Sequence, residues 1–355
     1  MADRKAMIAM SGGVDSSVAA CLMAQDGYSC IGATMRLYDG EDNSCCSLEA
    51  VEDARSVAYK LGIPFHVFNF TEVFSQKVIN DFITAYENGL TPNPCIRCNQ
   101  HLKFSKLLER AQILGCECIV TGHYARIGQD EATGRYILYK AKDPAKDQSY
   151  FLYPLTQEQI SRIRFPLGEL TKDQVRQIAQ QQGLVNARKR DSQDICFVPD
   201  GDYYSFLCRY TKKMYPGGLF LDLNGNTVGT HNGAVAYTLG QRKGLGLAMG
   251  EPVYVCAKDM VRNTVTIGPN AALFHRALLA NDWFFFPFDS LTAPLRVKAK
   301  TRSRMTEQPA TVYPEADGFC RVVFDEPQRA ITPGQAVVLY DGDMVVGGGT
   351  IQNVI

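Results

Sequence analysis

The sequence predicts an α/β protein with a doubly wound parallel-sheet domain, a small central β-rich domain and a C-terminal antiparallel β-barrel. In the first half, short β-rich runs alternate with helical periodicity, the pattern of repeated strand–helix units around a parallel sheet. From Tyr215 onward, glycine and proline recur about every eight to twelve residues between runs rich in Val, Tyr, Phe and Thr, which is typical of antiparallel sheets and barrels. The 355 residues are too many for one typical core. We therefore predict domains at 1–205, 206–275 and 276–355.

The elements of the first domain follow in order. Predicted strands cover 5–10, 29–35, 65–70 and 117–121, and predicted helices cover 15–25, 47–61, 71–88 and 102–114. Gly62 stands where a helix end needs positive φ. Farther along, Thr171 and Gln174 form a capping box that opens a further helix, which ends near Gly183.

The charge balance limits the partners. Lysine plus arginine equals aspartate plus glutamate at 37 each, which excludes a globally basic nucleic-acid binder and leaves only local patches for RNA. We find no run of eighteen apolar residues and no signal peptide. The expectation is a cytoplasmic protein without a membrane partner, whose cysteines are thiols.

Residues 11–17, Ser-Gly-Gly-Val-Asp-Ser-Ser, lie between the first predicted strand and its helix. An α/β sheet presents backbone amides and a helix N-terminus to an anion at this point. The sequence lacks the Gly-Lys-Ser/Thr pair of kinases and GTPases and lacks GxGxxG. The loop resembles that of the N-type ATP pyrophosphatases, which cleave ATP between its α and β phosphates; an ordinary Gly-Ser turn is the alternative.

This loop gives a set of candidate nucleotide contacts. Asp15 could help to hold Mg²⁺, or it could be a first-turn acid favoured by the helix dipole. Met35 and Gly122 fall at carboxyl ends of strands, where a nucleotide would lie. The candidate ATP-binding residues are Ala9, Met10, Ser11, Gly12, Gly13, Val14, Asp15, Ser16, Met35 and Gly122.

Three cysteines lie in polar surroundings. Cys95 and Cys98 are three residues apart just before a predicted helix, where the helix dipole and the neighbouring Arg97 would lower a thiol pKa. They are expected to be reactive thiolates or metal ligands. A structural zinc site is the alternative, although the sequence offers no second pair with the right spacing. Cys196 lies in a polar stretch, 190–197, whereas an isolated cysteine is usually a small buried hydrophobe.

Several motifs together resemble the tRNA-uridine 2-sulfurtransferases, the bacterial and organellar tRNA 2-thiouridylases. They comprise residues 11–16, Thr-Pro-Asn-Pro-Cys-Ile-Arg-Cys-Asn at 91–99, Thr-Gly-His-Tyr at 121–124, Lys-Asp-Gln-Ser at 146–149 and Ser-Gln-Asp-Ile-Cys-Phe at 192–197. Residues 237–246 and Pro-Gly-Gln at 333–335 extend the resemblance over essentially the whole chain.

The resemblance implies a reaction in two steps. ATP adenylylates the C2 oxygen of a wobble uridine, and sulfur then attacks C2 with AMP as the leaving group. Cys196 would receive a persulfide from a sulfur-donor relay protein or a cysteine desulfurase, and Cys98 would be the nucleophile. A disulfide between Cys98 and Cys196 would form once sulfur has been delivered.

The resemblance also implies an RNA-binding surface. Asn93, Pro94 and Cys95 match the segment that meets the target base. The tRNA contacts implied are His123, Lys146, Asp147, Gln148, Arg302, Ser303 and Gln335. In addition, five cations occupy every even position from 296 to 304, which predicts one basic face of a long strand. An ordinary solvated barrel face is the alternative.

Cys95 departs from many family members, which carry an aspartate at this position. With Cys98 and Cys196 it makes a set that could bind three irons of a [4Fe–4S] cluster, as in other tRNA-thiolating enzymes with a CxxC pair and a distant cysteine. The persulfide route, with Cys95 as a bystander, is the alternative. Two other functions remain open on the same nucleotide fold: another adenylylating ligase, such as an NAD or GMP synthetase, and a non-catalytic RNA-binding protein.

Overall fold

The first sheet places a strand-to-helix loop at its centre. A computed structural model describes residues 4–38, 48–189 and 195–355. The sheet contains β1 (Lys5–Ala9), β2 (Ser29–Arg36), β3 (Phe65–Asn69), β4 (Cys118–Val120) and β7 (Ile163–Arg164). All its pairings are parallel and the order is β3-β2-β1-β4-β7. The order reverses direction beside β1, so the predicted doubly wound topology is confirmed.

Helices cover both faces of this sheet. They are α1 (Val14–Gln25), α2 (Leu48–Lys60), α3 (Thr71–Phe74), α4 (Asn80–Glu87), α5 (Pro94–Cys98), α6 (Leu107–Ile113), α7 (Gln157–Ser161) and α8 (Lys172–Gln181). Gly62 has a φ of +67°, as its position after α2 predicts. The capping box at Thr171 and Gln174 is present at the start of α8. Residue 47, the predicted start of α2, lies outside the described residues.

Two of the predicted helices contain wider turns. A π-helical stretch (Ser75–Ile79) joins α3 to α4, and another (Asn99–Lys106) joins α5 to α6. The second helix therefore begins at Pro94 and not at Leu102. The sequence prediction that Cys95 and Cys98 precede a helix is wrong, because Pro94 at the first helical position already starts it.

The central unit is a small mixed sheet. After α9 (Tyr203–Thr211) come β8 (Gly218–Leu221), β9 (Thr227–His231), β10 (Tyr254–Asp259) and β11 (Thr264–Gly268), in the order β10-β11-β8-β9. Phe220, Val255 and Val265 are completely buried in its core.

The C-terminal strands close into a barrel. They are β12 (Phe274–Phe285), β13 (Leu295–Lys300), β14 (Gln308–Pro314), β15 (Cys320–Arg329), β16 (Ala336–Asp341) and β17 (Met344–Val354). Pairing of β12 with β17 completes the ring. Closure removes unpaired edges between these strands, and the predicted barrel is confirmed.

A hairpin from the first half joins this barrel sheet, which the sequence did not predict. Strands β5 (Arg126–Gln129) and β6 (Tyr136–Tyr139) pair with each other, and Tyr139 pairs with Met344 of β17. Arg126 donates to Asp343 at 2.8 Å. A hairpin of the first half and the barrel therefore share one hydrogen-bonded sheet.

The predicted basic strand at 296–304 is wrong in two respects. Strand β13 ends at Lys300, so Arg302 and Arg304 lie in the following turn. Lys300 is buried, with its Nζ 3.8 Å from an oxygen of Asp147. Packing against Asp147 and Tyr150 buries Lys300, whereas Arg296 and Lys298 of the same strand stay exposed. The exposed basic stripe is therefore shorter than the period of two predicts.

Candidate active site

The loop after β1 has the geometry of an anion cradle. Gly12 has a φ of +74°, and a Cβ there would lie 2.3 Å from the carbonyl oxygen of Ala50. Gly13 is the N-cap residue of α1. The Ser16 and Ser17 hydroxyls donate to the Gly13 carbonyl at 3.1 and 3.0 Å. These contacts fix the loop at a helix N-terminus, whose amides and dipole favour a phosphate.

Asn186 supports the loop from a distant part of the sequence. Its side-chain nitrogen donates to the Gly12 carbonyl at 3.0 Å and to the Ser17 hydroxyl at 2.9 Å. The residue is 3% exposed, and its Oδ1 has no hydrogen-bond partner among the residues described. The short side chain thus ties the cradle to the segment after α8.

Asp15 is held by two residues that the sequence analysis did not name as site residues. Lys172 places its ammonium 2.7 and 2.9 Å from the two carboxylate oxygens. The Tyr124 hydroxyl donates to one of them at 2.9 Å. The side chain of Lys172 is 9% exposed and that of Asp15 is 29% exposed. The pair therefore lies at the floor of the loop.

The predicted Mg²⁺ role of Asp15 stays a prediction, and in this structure its carboxylate is occupied by an ammonium. Both carboxylate oxygens accept from the Lys172 ammonium, and a cation bound to either oxygen would lie against a like charge. The Lys172 ammonium is thereby held next to Asp15 in the first turn of α1, where the carboxylate compensates its charge.

Gly122 and Met35 occupy the predicted strand ends. A Cβ on Gly122 would lie 2.7 Å from the Asp15 carbonyl carbon and 2.7 Å from the Ser16 nitrogen. Only glycine lets the segment after β4 approach the loop this closely. Met35 is half-buried near the end of β2. Gly122 follows β4 and Met35 lies on β2, and these two strands flank β1.

The first turns of α5 carry two cysteines in different environments. Asn93 is the N-cap and Pro94 the first helical residue, so Cys95 is the second. Cys95 is exposed, whereas Cys98 is 9% exposed and packs in the core. Residues three apart on a helix are neighbours, so an exposed thiol and a buried thiol lie next to each other here.

Cys196 precedes Phe197, which packs on α4 near the cysteine-bearing helix α5. It lies half-buried in a turn in which the Val198 nitrogen donates to the Ile195 carbonyl at 2.9 Å. The Phe197 ring lies 5.3 Å from the ring of Phe82 on α4. The residue before Phe82, Asp81, has an oxygen 3.9 Å from Arg97 Nε, next to Cys98. Cys98 and Cys196 are thus each adjacent to a residue that contacts α4. The polar residues 190–194 that led to Cys196 lie outside the described residues.

The predicted iron–sulfur cluster on Cys95, Cys98 and Cys196 stays a prediction. Across the described ranges, no three His, Cys, Asp or Glu side chains are grouped so that they could hold a metal ion. The exposed position of Cys95 and the buried position of Cys98 agree with this result. The predicted cluster gains no geometric support here.

A cavity of about 340 Å³ opens beside the cysteine segment. It lies between α4, the segment around Asn93 and the barrel, and its polar lining includes Asp81, Arg97, Asp282 and Gln352. This volume is within the range of small-molecule pockets. Asn93 and Pro94, predicted to meet the target base, both line it.

His123 is packed among aromatic rings. Its ring lies 5.7 Å from that of Phe104 and 5.8 Å from that of Phe165. Nδ1 shares a 2.7 Å hydrogen bond with the Thr121 hydroxyl. Burial, aided by the positive charge of Lys103, holds the His123 pKa well below its usual value. The imidazole is therefore neutral at physiological pH.

Residues 146–148 lie next to Tyr124, the tyrosine that contacts Asp15. Asp147 accepts from the Ser149 hydroxyl at 2.8 Å, and its side chain is 8% exposed. Gln148 exchanges hydrogen bonds of 2.9 Å with the backbone of Tyr124, the partner of Asp15. Lys146 is half-buried. Asp147 and Gln148 thus hold the turn behind the nucleotide loop, and their predicted contact with tRNA stays a prediction.

The barrel residues predicted to meet tRNA make protein contacts. Arg302 donates to the Ala330 carbonyl at 2.8 Å and to the Thr332 hydroxyl at 3.1 Å. Gln335 donates to the Thr91 carbonyl at 2.8 Å. Ser303 is half-buried in the turn after β13. Their role toward RNA also stays a prediction.

One sequence signal could have found Lys172. A lysine at the first position of a helix opposes the helix dipole, which indicates that it has another partner. Tyr124 belongs to a motif that was recognised, but nothing local assigned it to Asp15. Asn186 carries no signal, because its contacts come entirely from the fold.

Comparisons with known proteins agree with these features. Family models match residues 4–200 (tRNA methyl transferase HUP domain), 204–269 (tRNA methyl transferase PRC-barrel domain) and 275–351 (aminomethyltransferase beta-barrel domain).

No helix of the described residues has the length and apolarity to cross a membrane.

The family models carry methyltransferase names, whereas the full-length relatives are named as thiouridylases. The chain is 51% identical to the tRNA-specific 2-thiouridylase MnmA of Clostridioides difficile (strain 630), over 99% of this chain and 98% of that one. It is also 51% identical to the protein of that name from Acetivibrio thermocellus, over 99% and 100%. A solved U34-tRNA thiolase from Methanococcus maripaludis has a TM-score of 0.36 and 16% identity over 59% of this chain and 64% of that chain, too distant to bear on function. With half of its residues shared along the whole length of these relatives, the chain belongs to the family of tRNA-specific 2-thiouridylases.

Proposed function

We propose that this protein uses ATP to convert the wobble uridine of tRNA into 2-thiouridine. One observation carries the proposal: a phosphate cradle at the centre of the sheet occurs in a chain that matches 2-thiouridylases over its whole length. The reactive cysteines are Cys98 and Cys196, and the RNA enters beside α5 and the barrel.

The first step activates the base. The uridine C2 oxygen attacks the α phosphorus of ATP, the bond between that phosphorus and the bridging oxygen breaks, and pyrophosphate leaves. The amides of residues 11–17 and the α1 dipole hold the pyrophosphate. Asp15 keeps Lys172 beside the loop, at 2.7 Å, where its positive charge stabilises the departing phosphates. No step is assigned to Mg²⁺.

The second step replaces oxygen with sulfur. The terminal sulfur of a Cys196 persulfide attacks C2, and AMP departs with the former uridine oxygen. The Cys98 thiolate then attacks the Cys196 sulfur, which breaks the sulfur–sulfur bond and releases the thiocarbonyl. This leaves a disulfide between Cys98 and Cys196. A cellular thiol must reduce it before the next turnover.

The sulfur itself comes from a partner. A relay protein or a cysteine desulfurase supplies the persulfide to Cys196, whose half-buried position leaves it accessible to a small donor group. Protected placement suits Cys98, because a 9% exposed thiol reacts with its intramolecular partner in preference to solutes.

The test is thiolation of unmodified tRNA with ATP and a persulfide donor, read by nucleoside mass spectrometry. Cys98→Ser and Cys196→Ser should each abolish 2-thiouridine, whereas Cys208→Ser, a half-buried cysteine on α9, should not. Absence of 2-thiouridine with the wild-type protein, donor and reductant would reject the proposal.

Cys95→Ala separates the two sulfur routes. On the persulfide route this variant keeps most of its activity, and aerobically purified protein is colourless. Reconstitution of a brown protein with about four irons per chain, together with loss of activity in Cys95→Ala, would establish the cluster instead.

The remaining alternatives have their own signatures. A non-catalytic RNA-binding protein would not release pyrophosphate when tRNA is added to ATP. Another adenylylating ligase would release pyrophosphate with a small acid or base and would leave tRNA unthiolated.

A further inference from the structure

The turn of residues 332–335 in the barrel is hydrogen-bonded to the segment that leads into α5. The Thr91 nitrogen donates to the Pro333 carbonyl at 2.9 Å. In return, the Gln335 side-chain nitrogen donates to the Thr91 carbonyl at 2.8 Å and lies 3.4 Å from the Pro92 carbonyl. Three hydrogen bonds thus join two parts of the chain more than two hundred positions apart.

The backbone conformation of the turn allows this close contact. Gly334 has a φ of +89°, and a Cβ on it would lie 2.9 Å from the Leu90 Cβ and from the Thr91 nitrogen. Glycine is therefore required twice, for the backbone conformation and for the close approach. The two surfaces are in direct contact at this point.

The barrel holds the turn rigidly. The Gly334 nitrogen donates to the Ile351 carbonyl, and the Ile351 nitrogen donates to the Gln335 carbonyl, both at 2.8 Å. Arg302 donates to the Thr332 hydroxyl from the other side. The turn is thus a fixed feature of the closed barrel.

The position of the segment at residues 91–93 determines where α5, with Cys95 and Cys98, begins. Pro92 and Pro94 fix φ on either side of Asn93, so the backbone between Thr91 and the start of α5 has little freedom. Cavities of about 350 and 340 Å³ lie beside Leu90, and both reach the turn. Residues 90–93 are only half-buried, so the hydrogen bonds to the turn add to the packing that holds the segment.

We propose that Gln335 and Gly334 are positioning residues that set the placement of Cys98 for sulfur transfer. This inference rests on the proposed function for its consequence, but not for its first test. The hydrogens of the Gln335 amide face protein carbonyls, so they are used within the chain.

The first test measures cysteine protection in the free protein, without ATP or tRNA. Iodoacetamide labelling followed by peptide mass spectrometry gives a rate for each cysteine. In Gln335→Glu and Gly334→Ala, Cys98 should be labelled about threefold to tenfold faster, the range expected when one hydrogen bond is lost. Exposed Cys95 serves as the fast reference.

Two controls separate positioning from general loosening. Gly342→Ala also replaces a glycine with positive φ, +56°, but its Cβ meets nothing within 4 Å, so Cys98 labelling should stay at the wild-type rate. Cys116 and Cys320, each 5% exposed, should stay protected in all variants. Equal acceleration at these two cysteines, or no acceleration at Cys98, would overturn the inference.

The second test uses thiolation kinetics. A positioning role predicts a lower kcat for Gln335→Glu, with KM for tRNA within about twofold of wild type. A raised KM with unchanged kcat and unchanged Cys98 labelling would make Gln335 an RNA contact only and would overturn the proposal. An inactive wild type would reject the proposed function and leave the labelling result valid.

Discussion

At the scale of single residues, the ion pair beneath the phosphate loop is the main finding. Asp15 was expected to hold a metal ion, yet its carboxylate accepts from Lys172 and Tyr124. On the proposed function, the Lys172 side chain supplies positive charge beside the nucleotide phosphates. This assigns Lys172 a role that its place in the sequence did not disclose.

Lys172→Met should therefore impair the first chemical step. Without the ammonium, Asp15 places an uncompensated negative charge beside the phosphates. We expect tRNA-dependent pyrophosphate release to fall at least about tenfold, or about 1.4 kcal/mol in activation free energy. Lys189→Met removes a lysine paired with Asp53 at 2.6 Å and should keep normal release. Wild-type rates in Lys172→Met would contradict the assignment.

His123 should make stability depend on pH. Its folded-state pKa is lowered, so below about pH 6.5, the value for an unperturbed histidine, the unfolded chain binds a proton that the folded chain refuses. Stability is complete above that pH and declines as pH falls toward the lowered pKa. His123→Gln should lose less stability than wild type between pH 7.5 and 5.5.

Urea unfolding at the two pH values measures this difference. His101 and His231 also have lowered pKa values, but both are present in the two proteins and cancel in the comparison. Equal losses in the two proteins would mean that His123 does not titrate as inferred.

At the scale of elements, β13 is shorter and less exposed than its charge pattern indicates. The strand ends at Lys300, which turns inward toward Asp147. Arg296 pairs with Asp325. Of the five cations, Lys298 and Arg304 are the exposed ones without a side-chain partner among the residues described.

Arg302→Ala should weaken tRNA binding without changing ATP binding. Arg302 is the predicted RNA contact in the family resemblance, so loss of its charge should lower tRNA affinity, whereas its hydrogen bonds to Ala330 and Thr332 act on the turn of residues 332–335. Binding curves at several salt concentrations measure it, with Lys298→Ala as an exposed-cation control that should alter mainly the salt dependence. Unchanged tRNA affinity in Arg302→Ala would mean that Arg302 does not contact tRNA.

At the scale of the whole molecule, the first domain and the barrel are joined by a continuous interface. Tyr340 of β16 is completely buried, and Lys140 and Lys300 each place an ammonium 4.9 Å from its ring centre. Lys140 also pairs with Glu307 at 2.6 Å. Together with the hairpin β5–β6, these contacts make independent unfolding of the two units unfavourable.

We expect one cooperative unfolding transition for both units. The single tryptophan, Trp283, lies in the barrel, so its fluorescence reports that unit, while helical circular dichroism reports the first domain. Both signals should change at the same denaturant concentration. Tyr340→Leu should lower both midpoints together, by about 1–3 kcal/mol in unfolding free energy. Separate transitions in the wild type would contradict a shared interface.

The sequence by itself determined the local features of the fold. The parallel strands, the loop at 11–17, the capping box at Thr171 and the change to β-rich modules after Tyr215 follow from periodicity and turn residues, which act over a few positions. The parallel pairing of β11 with β8 in the central sheet was not predicted. Motif order then gave the family, because several short patterns in sequence are specific together.

Only the tertiary structure decided which distant residues meet. Lys172 reaches Asp15, Asn186 reaches Gly12, and Gln335 reaches Thr91, and none of these contacts leaves a local pattern in the chain. The attachment of β5–β6 to the barrel and the burial of Lys300 arise in the same way. Local propensity is set by neighbours in sequence, whereas such contacts depend on how whole sheets pack, and that packing fixes the chemistry of the site.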